Sequence, residues 1–85
     1  KYLEKDIMGF EPKKALDGGV DGLSEIRKVI NKSSKLLKKN GLLILEIGFD
    51  QKNKVKRILQ NKRFYIKKIV KDLSNNDRCI ISVRI

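Results

Sequence analysis

The chain has 85 residues and a mass of 9.8 kDa, room for one small domain. A domain of that size buries only about 60–65% of its unfolded surface, which excludes a large multi-domain enzyme. One cysteine, Cys79, and no histidine exclude an intrachain disulfide, any Cys/His zinc site and any mechanism with histidine as base. No stretch approaches the ~20 apolar residues that cross a bilayer, and the start, Lys1–Asp6, lacks the apolar run of a signal peptide. A cytoplasmic protein without membrane contact is expected.

Residues 1–22 hold the only proline, Pro12, with Gly9, Gly18, Gly19 and Gly22, and read as a loop-rich lead-in. Phe10-Glu11-Pro12 should be extended, and Asp17-Gly18-Gly19 and Asp21-Gly22 are turn signals. From Leu23 a helical period begins. Leu23, Ile26, Val29/Ile30, Ser33 and Leu36/Leu37 fall on one stripe, with Asp21 or Ser24 as N-cap and Asn40-Gly41 as a left-handed stop. Leu42 to Ile47 is a continuous apolar run up to Gly48, broken only by Glu46, and predicts a strand buried on both faces. Asp50 is the expected cap of a second helix running to about Asn61, with Val55, Ile58 and Leu59 as its narrow apolar stripe. Phe64–Lys71 and Arg78–Ile85 predict two further strands, antiparallel to each other, joined by a turn at Leu73–Asp77.

The expected order is therefore loop, helix, strand, helix, strand, strand. A strand as apolar as Leu42–Ile47 belongs inside a parallel sheet, yet only three strands are predicted, so one neighbour is missing. The chain then reads as a piece of a larger α/β domain. The alternative is that it stands alone, with the N-terminal segment or a second copy covering the open strand edge.

Charge is uneven along the chain. The net charge is +11, but residues 1–25 sum to −2 and residues 26–85 to +13. A basic second half can meet phosphate. The plainer reading is a lysine-rich solvated surface, since the 21 basic residues are 16 Lys and 5 Arg and there is no Trp.

No catalytic constellation is complete. Gly48 stands alone after its strand, so neither a dinucleotide fingerprint nor a P-loop is present. Glu46 sits near the C-terminal end of the buried strand, the edge at which open α/β sheets bind ligands, and is either a site-facing carboxylate or an acceptor for loop amides. Ser33 and Ser34 have no base near them and read as structural. Cys79 alternates with Ile81 and Val83 and reads as a small apolar residue.

The motifs together resemble a known family. Phe10-Glu11-Pro12, Ala15-Leu16, Asp17-Gly18-Gly19, Asp21-Gly22-Leu23, then Gly41 to Gly48 with Gln51 soon after, and Lys71-Asp72-Leu73 followed by Asp77-Arg78, are similar to the C-terminal portion of the HemK/PrmC proteins. These are S-adenosylmethionine-dependent methyltransferases that modify the glutamine of the Gly-Gly-Gln motif in peptide chain release factors. Arg27 matches an arginine usual in the family, whereas Ile26 replaces an aromatic residue. The resemblance implies an α/β, Rossmann-like fold of which residues 1–85 are the C-terminal portion, 1–22 as lead-in and 23–85 as core piece. Leu42–Ile47 would be the fifth strand, Phe64–Lys71 the sixth and Arg78–Ile85 an antiparallel seventh inserted between them. The cofactor loop and the Asn-Pro-Pro-Tyr motif would lie upstream of Lys1, so the chain alone should be inactive and does not carry the family's S-adenosylmethionine-binding motifs. Phe10, Glu11, Pro12 and Glu46 are the residues this implies as substrate-facing.

Two other readings stand beside it: a related DNA or protein N-methyltransferase, and a free-standing basic module that binds nucleic acid. Self-association through an exposed strand edge is a further expectation.

Overall fold

The computed structural model describes residues 5–10 and 23–85. Glu11, Pro12 and the expected turns at Asp17–Gly19 and Asp21–Gly22 lie outside the described residues, as does the Asp21 cap. The elements, in chain order, are strand β1 (Lys5–Phe10), helix α1 (Ser24–Leu36), strand β2 (Leu37–Glu46), helix α2 (Lys52–Asn61) and strands β3 (Phe64–Lys71) and β4 (Asp77–Arg84). They form a four-stranded sheet in the order β1-β2-β4-β3. β1 is parallel to β2, and β4 is antiparallel to both β2 and β3. The mixed sheet with β4 between β2 and β3 is the arrangement that the family resemblance implies.

β1 corrects the expectation of a loop-rich start and of a missing neighbour. Ile7–Phe10 pair in register with Leu42–Leu45, so β2 is hydrogen-bonded on both sides, and the open edges of the sheet belong to β1 and β3. Six residues with one β-branched side chain and a glycine make a weak strand signal. What selects the strand is the unpaired parallel edge of β2, which is a long-range property. An open edge on β2 itself is therefore overturned.

α1 has Leu23 at its N-cap with no side-chain capping bond, and Ser24 is its first helical residue. Its stripe is as expected at Leu23, Ile26, Ile30 and Ser33, all buried, but Leu36 is 40% exposed. The helix ends at Leu36, before Asn40-Gly41, because Leu37 turns extended (ψ 138°) and is buried as the first residue of β2. Asn40 does take the left-handed conformation (φ 71°), though inside β2, where one residue of β1 faces four of β2 between the pairs Lys5–Leu37 and Ile7–Leu42. α2 starts at Lys52 with Gln51, not Asp50, at its N-cap. Arg63 then takes a left-handed φ of 67° and donates and accepts at the helix end, its N–H to Gln60 O (3.2 Å) and its carbonyl from Ile85 N (3.0 Å).

β3 has the predicted boundaries and β4 runs one residue ahead of them. Their turn is organised by Asp72, whose Oδ1 accepts from Ser74 N and Asn76 N, both at 2.9 Å, with Asn75 left-handed at φ 67°. Asp77, 14% exposed at its side chain, closes the turn by accepting from Lys71 Nζ at 2.8 Å, with Lys52 Nζ at 3.5 Å. The Lys71 hydrogen bond, against the cost of burial, holds the Asp77 carboxyl below its ordinary range. A depressed acid stabilises the fold above its unfolded pKa, and that contribution is lost as pH falls through the folded value. Denaturant midpoints of the wild type should therefore fall between about pH 5 and pH 2 more steeply than those of Asp77→Asn.

Both helices pack on one face of the sheet. Leu43, Leu45 and Ile47 of the β2 segment, Ile80 of β4 and Phe64 of β3 meet Ile26, Ile30, Val55 and Leu59 in a single core. The other face carries Leu42, Ile44 and Glu46 beside Val83, Ile81 and Cys79, cross-strand partners that shade each other yet have no layer over them among the described residues. They are half-buried. β2 is thus buried on one face only, since an unbroken apolar run marks a strand without saying which faces are covered.

The two buried serines differ. Ser82 Oγ donates to Leu43 O across the sheet at 3.0 Å, whereas Ser33 Oγ is fully buried with no partner among the described residues. Losing a made bond costs about 1 kcal/mol, and removing an unpaired buried hydroxyl relieves a similar desolvation penalty. Ser82→Ala should lower, and Ser33→Ala raise, the thermal midpoint by about 4–8 °C each.

Candidate functional site at the C-terminal strand edge

Parallel pairing of β1 with β2 fixes where a ligand edge can lie. Phe10 pairs with Leu45, so Phe10 and Glu46 reach the same end of the sheet, the carboxyl end of the two parallel strands. Open α/β sheets bind ligands in the crevice outside the carboxyl ends of their strands. Of the four residues singled out in the sequence, the structure places these two at one end of the sheet but on opposite faces, Phe10 on the helix-covered face with its partner Leu45 and Glu46 on the other. Phe10 is half-buried and packs against the core. Glu46 is half-buried on the uncovered face opposite Cys79, and no hydrogen bond or ion pair among the described residues engages its carboxylate. The alternative in which loop amides absorb that charge has no counterpart among them.

The chain leaves β2 through a tight loop. Ile47 N extends the ladder to Arg78 O (2.8 Å), after which Gly48 N–H donates to Gln51 Oε1 (2.8 Å) and Gln51 N–H donates back to Gly48 O (3.0 Å). A Cβ on Gly48 would stand 3.2 Å from Gln51 Oε1, so glycine lets the Gln51 amide fold over the loop. Val55 N then donates to Gln51 O at 3.0 Å, which ties the loop to the first turn of α2. This loop leaves Phe49 69% exposed at the ligand edge. Gln51 and Phe49 are the edge residues that sequence reasoning left unassigned, although a solvent-exposed aromatic between a strand-ending glycine and a helix start is a usable signal.

Among the described residues the edge holds no activated nucleophile. Burial, and after it the neighbouring Glu46 carboxylate, push the Cys79 thiol up, with Arg78 opposing, so the sulfur stays protonated and weakly reactive at neutral pH. Cys79 shares a strand face with Ile81 and Val83 as expected, but half-buried because that face is uncovered. Ser34 Oγ donates to Asn31 O at 2.7 Å and Ser33 lies in the α1 interface, both structural as expected. Among the described residues no group of acidic, Cys or His side chains could hold a metal, and no helix is long and apolar enough to cross a membrane. The close approach at Gly48 is to the Gln51 side chain, not to an open cradle. What the edge can do is position: among the described residues the carboxylates of Glu46 and Asp50 have no hydrogen-bond or ion-pair partner there, and the exposed Phe49 lies between the two in the chain.

Sequence comparison decides the lineage of this edge. Over 82 residues, 96% of the chain and 29% of the relative, it is 42% identical to the release factor glutamine methyltransferase of Clostridium acetobutylicum. By sequence the chain matches, over nearly its whole length, part of the release factor glutamine methyltransferases. It spans less than a third of the length of these relatives, 28% in the case of the Thermodesulfovibrio yellowstonii protein, to which it is 40% identical. No family model matches the chain. Among solved structures, it resembles the release-factor-specific protein-(glutamine-N5) methyltransferase of Alicyclobacillus acidocaldarius at 27% identity and a TM-score of 0.64, covering 87% of this chain and 45% of that one. The methyltransferase fold that the family implies is thus present here in part, as an α/β piece of a longer sheet.

Proposed function

We propose that these residues are part of a protein-(glutamine-N5) methyltransferase, which transfers a methyl group from S-adenosylmethionine to the Gly-Gly-Gln glutamine of peptide chain release factors. The observation that carries this is the continuous 42% identity across 96% of the chain to a relative of that name. In this reading Phe10, Glu11, Pro12 and Glu46 face the substrate, and the remainder of the enzyme binds the methyl donor, whose sulfonium supplies an electrophilic methyl group. The part played here is alignment. The unpaired Glu46 carboxylate can accept a hydrogen bond from the target amide and hold its nitrogen in line, which is the kind of contribution that positioning makes to a displacement. The 85 residues alone are expected to transfer no methyl group.

The fold by itself does not choose the acceptor, since folds host many chemistries; the sequence identity favours the release factor over DNA. The test is exchange: these 85 residues replace the matching 29% of the Clostridium acetobutylicum relative, and methylation of a release factor and of DNA is measured side by side. Release-factor methylation carries the proposal. DNA methylation alone would overturn it.

A further inference from the structure

The outward surface of the two helices is densely basic, and neither the fold nor the proposed methyl transfer uses it. α1 exposes Lys28, Lys32 and Lys35, and α2 exposes Lys54 and Arg57, with Asn53 and Gln60 among them. Glu25 is the one acid on either helix, 3.6 Å from Lys28, and both helices lie on the same side of the sheet. We propose that this helical layer docks on the sugar-phosphate backbone of a double-helical nucleic acid.

The spacing and the chemistry favour this partner over others. Lys28, Lys32 and Lys35 climb α1 in steps of about 6 and 4.5 Å, the scale of one to two phosphates along a strand. Asn and Gln side chains between the cations are phosphate donors that carry no sequence information. Neither helix contains an aromatic residue, so there is no stacking platform of the kind that holds single strands. Anionic membrane is disfavoured because the apolar side chains of the helices turn into the core, Leu36 being the one counted as exposed, and an interfacial helix needs an apolar face to insert. This surface lies on the opposite side of the sheet from Glu46, and only Lys32 comes near Phe10, with which it lines a cavity.

The experiment uses the 85-residue chain and fluorescence anisotropy with labelled RNA and DNA duplexes of about twenty base pairs, a single strand of the same sequence, and phosphatidylserine vesicles. Five cations predict a slope of log K against log salt of about −4 to −5, a loss of several hundredfold between 50 and 200 mM salt. The variant Lys28→Gln/Lys35→Gln/Arg57→Gln should bind duplex at least tenfold more weakly and flatten the slope by about 3, with its circular dichroism unchanged. The control Lys39→Gln/Lys67→Gln/Lys68→Gln removes the same charge away from the helices and should lose less than threefold. The tighter of RNA and DNA then identifies the source of the phosphates. Absence of duplex binding at 50 mM salt, equal losses in the two triple variants, or tighter binding to single strand or vesicles than to duplex would each overturn the proposal.

Discussion

Leu45→Ala should remove about 3 kcal/mol of folding free energy, while Ile44→Ala, one residue away on the same strand, should remove about 1. The two side chains are similar in size and chemistry and differ in which face of β2 they occupy. Leu45 is fully buried against the helices, and Ile44 is half-buried on the face without a layer. Truncating a fully packed side chain loses its transfer energy and leaves a cavity, whereas at a half-exposed position water fills the space. For a chain of this length total stability is on the order of 4–13 kcal/mol, so the first substitution consumes a large fraction of it and the second does not. Urea denaturation of both variants gives the comparison directly, as displaced midpoints at unchanged slope. Equal losses would mean that both faces are covered, contrary to the structure. Within the exchanged full-length enzyme the expectation reverses. If the remainder of the methyltransferase packs on the Ile44–Ile81 face, Ile44→Ala should there approach the cost of Leu45→Ala.

The exchanged enzyme should methylate a release factor, and Glu46→Gln within it should lower kcat/KM by about 10–100-fold. Hydrogen bonds to charged groups contribute about 1.5–3 kcal/mol, and each 1.36 kcal/mol of transition-state stabilisation is tenfold in rate. Glutamine keeps the size and the acceptor oxygen of glutamate and removes the charge. Because no described residue bonds to the Glu46 carboxylate, the substitution should leave the unfolding midpoint where it was. That separates positioning from structure: a fall in activity with unchanged stability supports the alignment role, and wild-type activity in the Glu46→Gln enzyme would remove Glu46 from the site while leaving the family assignment intact. The unexchanged chain, assayed alone, should transfer nothing.

Much of this architecture is legible in the residues. The helical stripe from Leu23 to Ser33, the apolar run after Gly41, the stripe of Val55, Ile58 and Leu59, and the two β-rich segments around Asn75-Asn76 each obey a local period, and each became the expected element within a few residues. The caps were less legible. Asp50 precedes a helix and yet Gln51 holds the N-cap, because the Gln51 side chain is drawn back to Gly48 N, a loop geometry that single-residue preferences do not encode. The left-handed Arg63 has no sequence signal at all, and is held by its helix end and by the ladder to Ile85.

The site divides in the same way. The lead-in motifs of residues 10–23 combined with the run from Gly41 to Gly48 carry the family resemblance, and Glu46 at a strand end marks the edge, since each depends on residues close in the chain. That Phe10 stands at that edge is not local information, for it requires Lys5–Phe10 to be a strand and to pair in parallel with a segment more than thirty residues away. The same holds for the coverage of β2. Periodicity reports that side chains are apolar, and it is blind to what lies over them. By itself the sequence determined which segments become helix or strand and which lineage they come from, because those are carried by neighbours along the backbone. Only the tertiary structure decided which strand flanks β2 and which of its faces the helices bury, because pairing and burial are set by contacts between segments far apart in the chain.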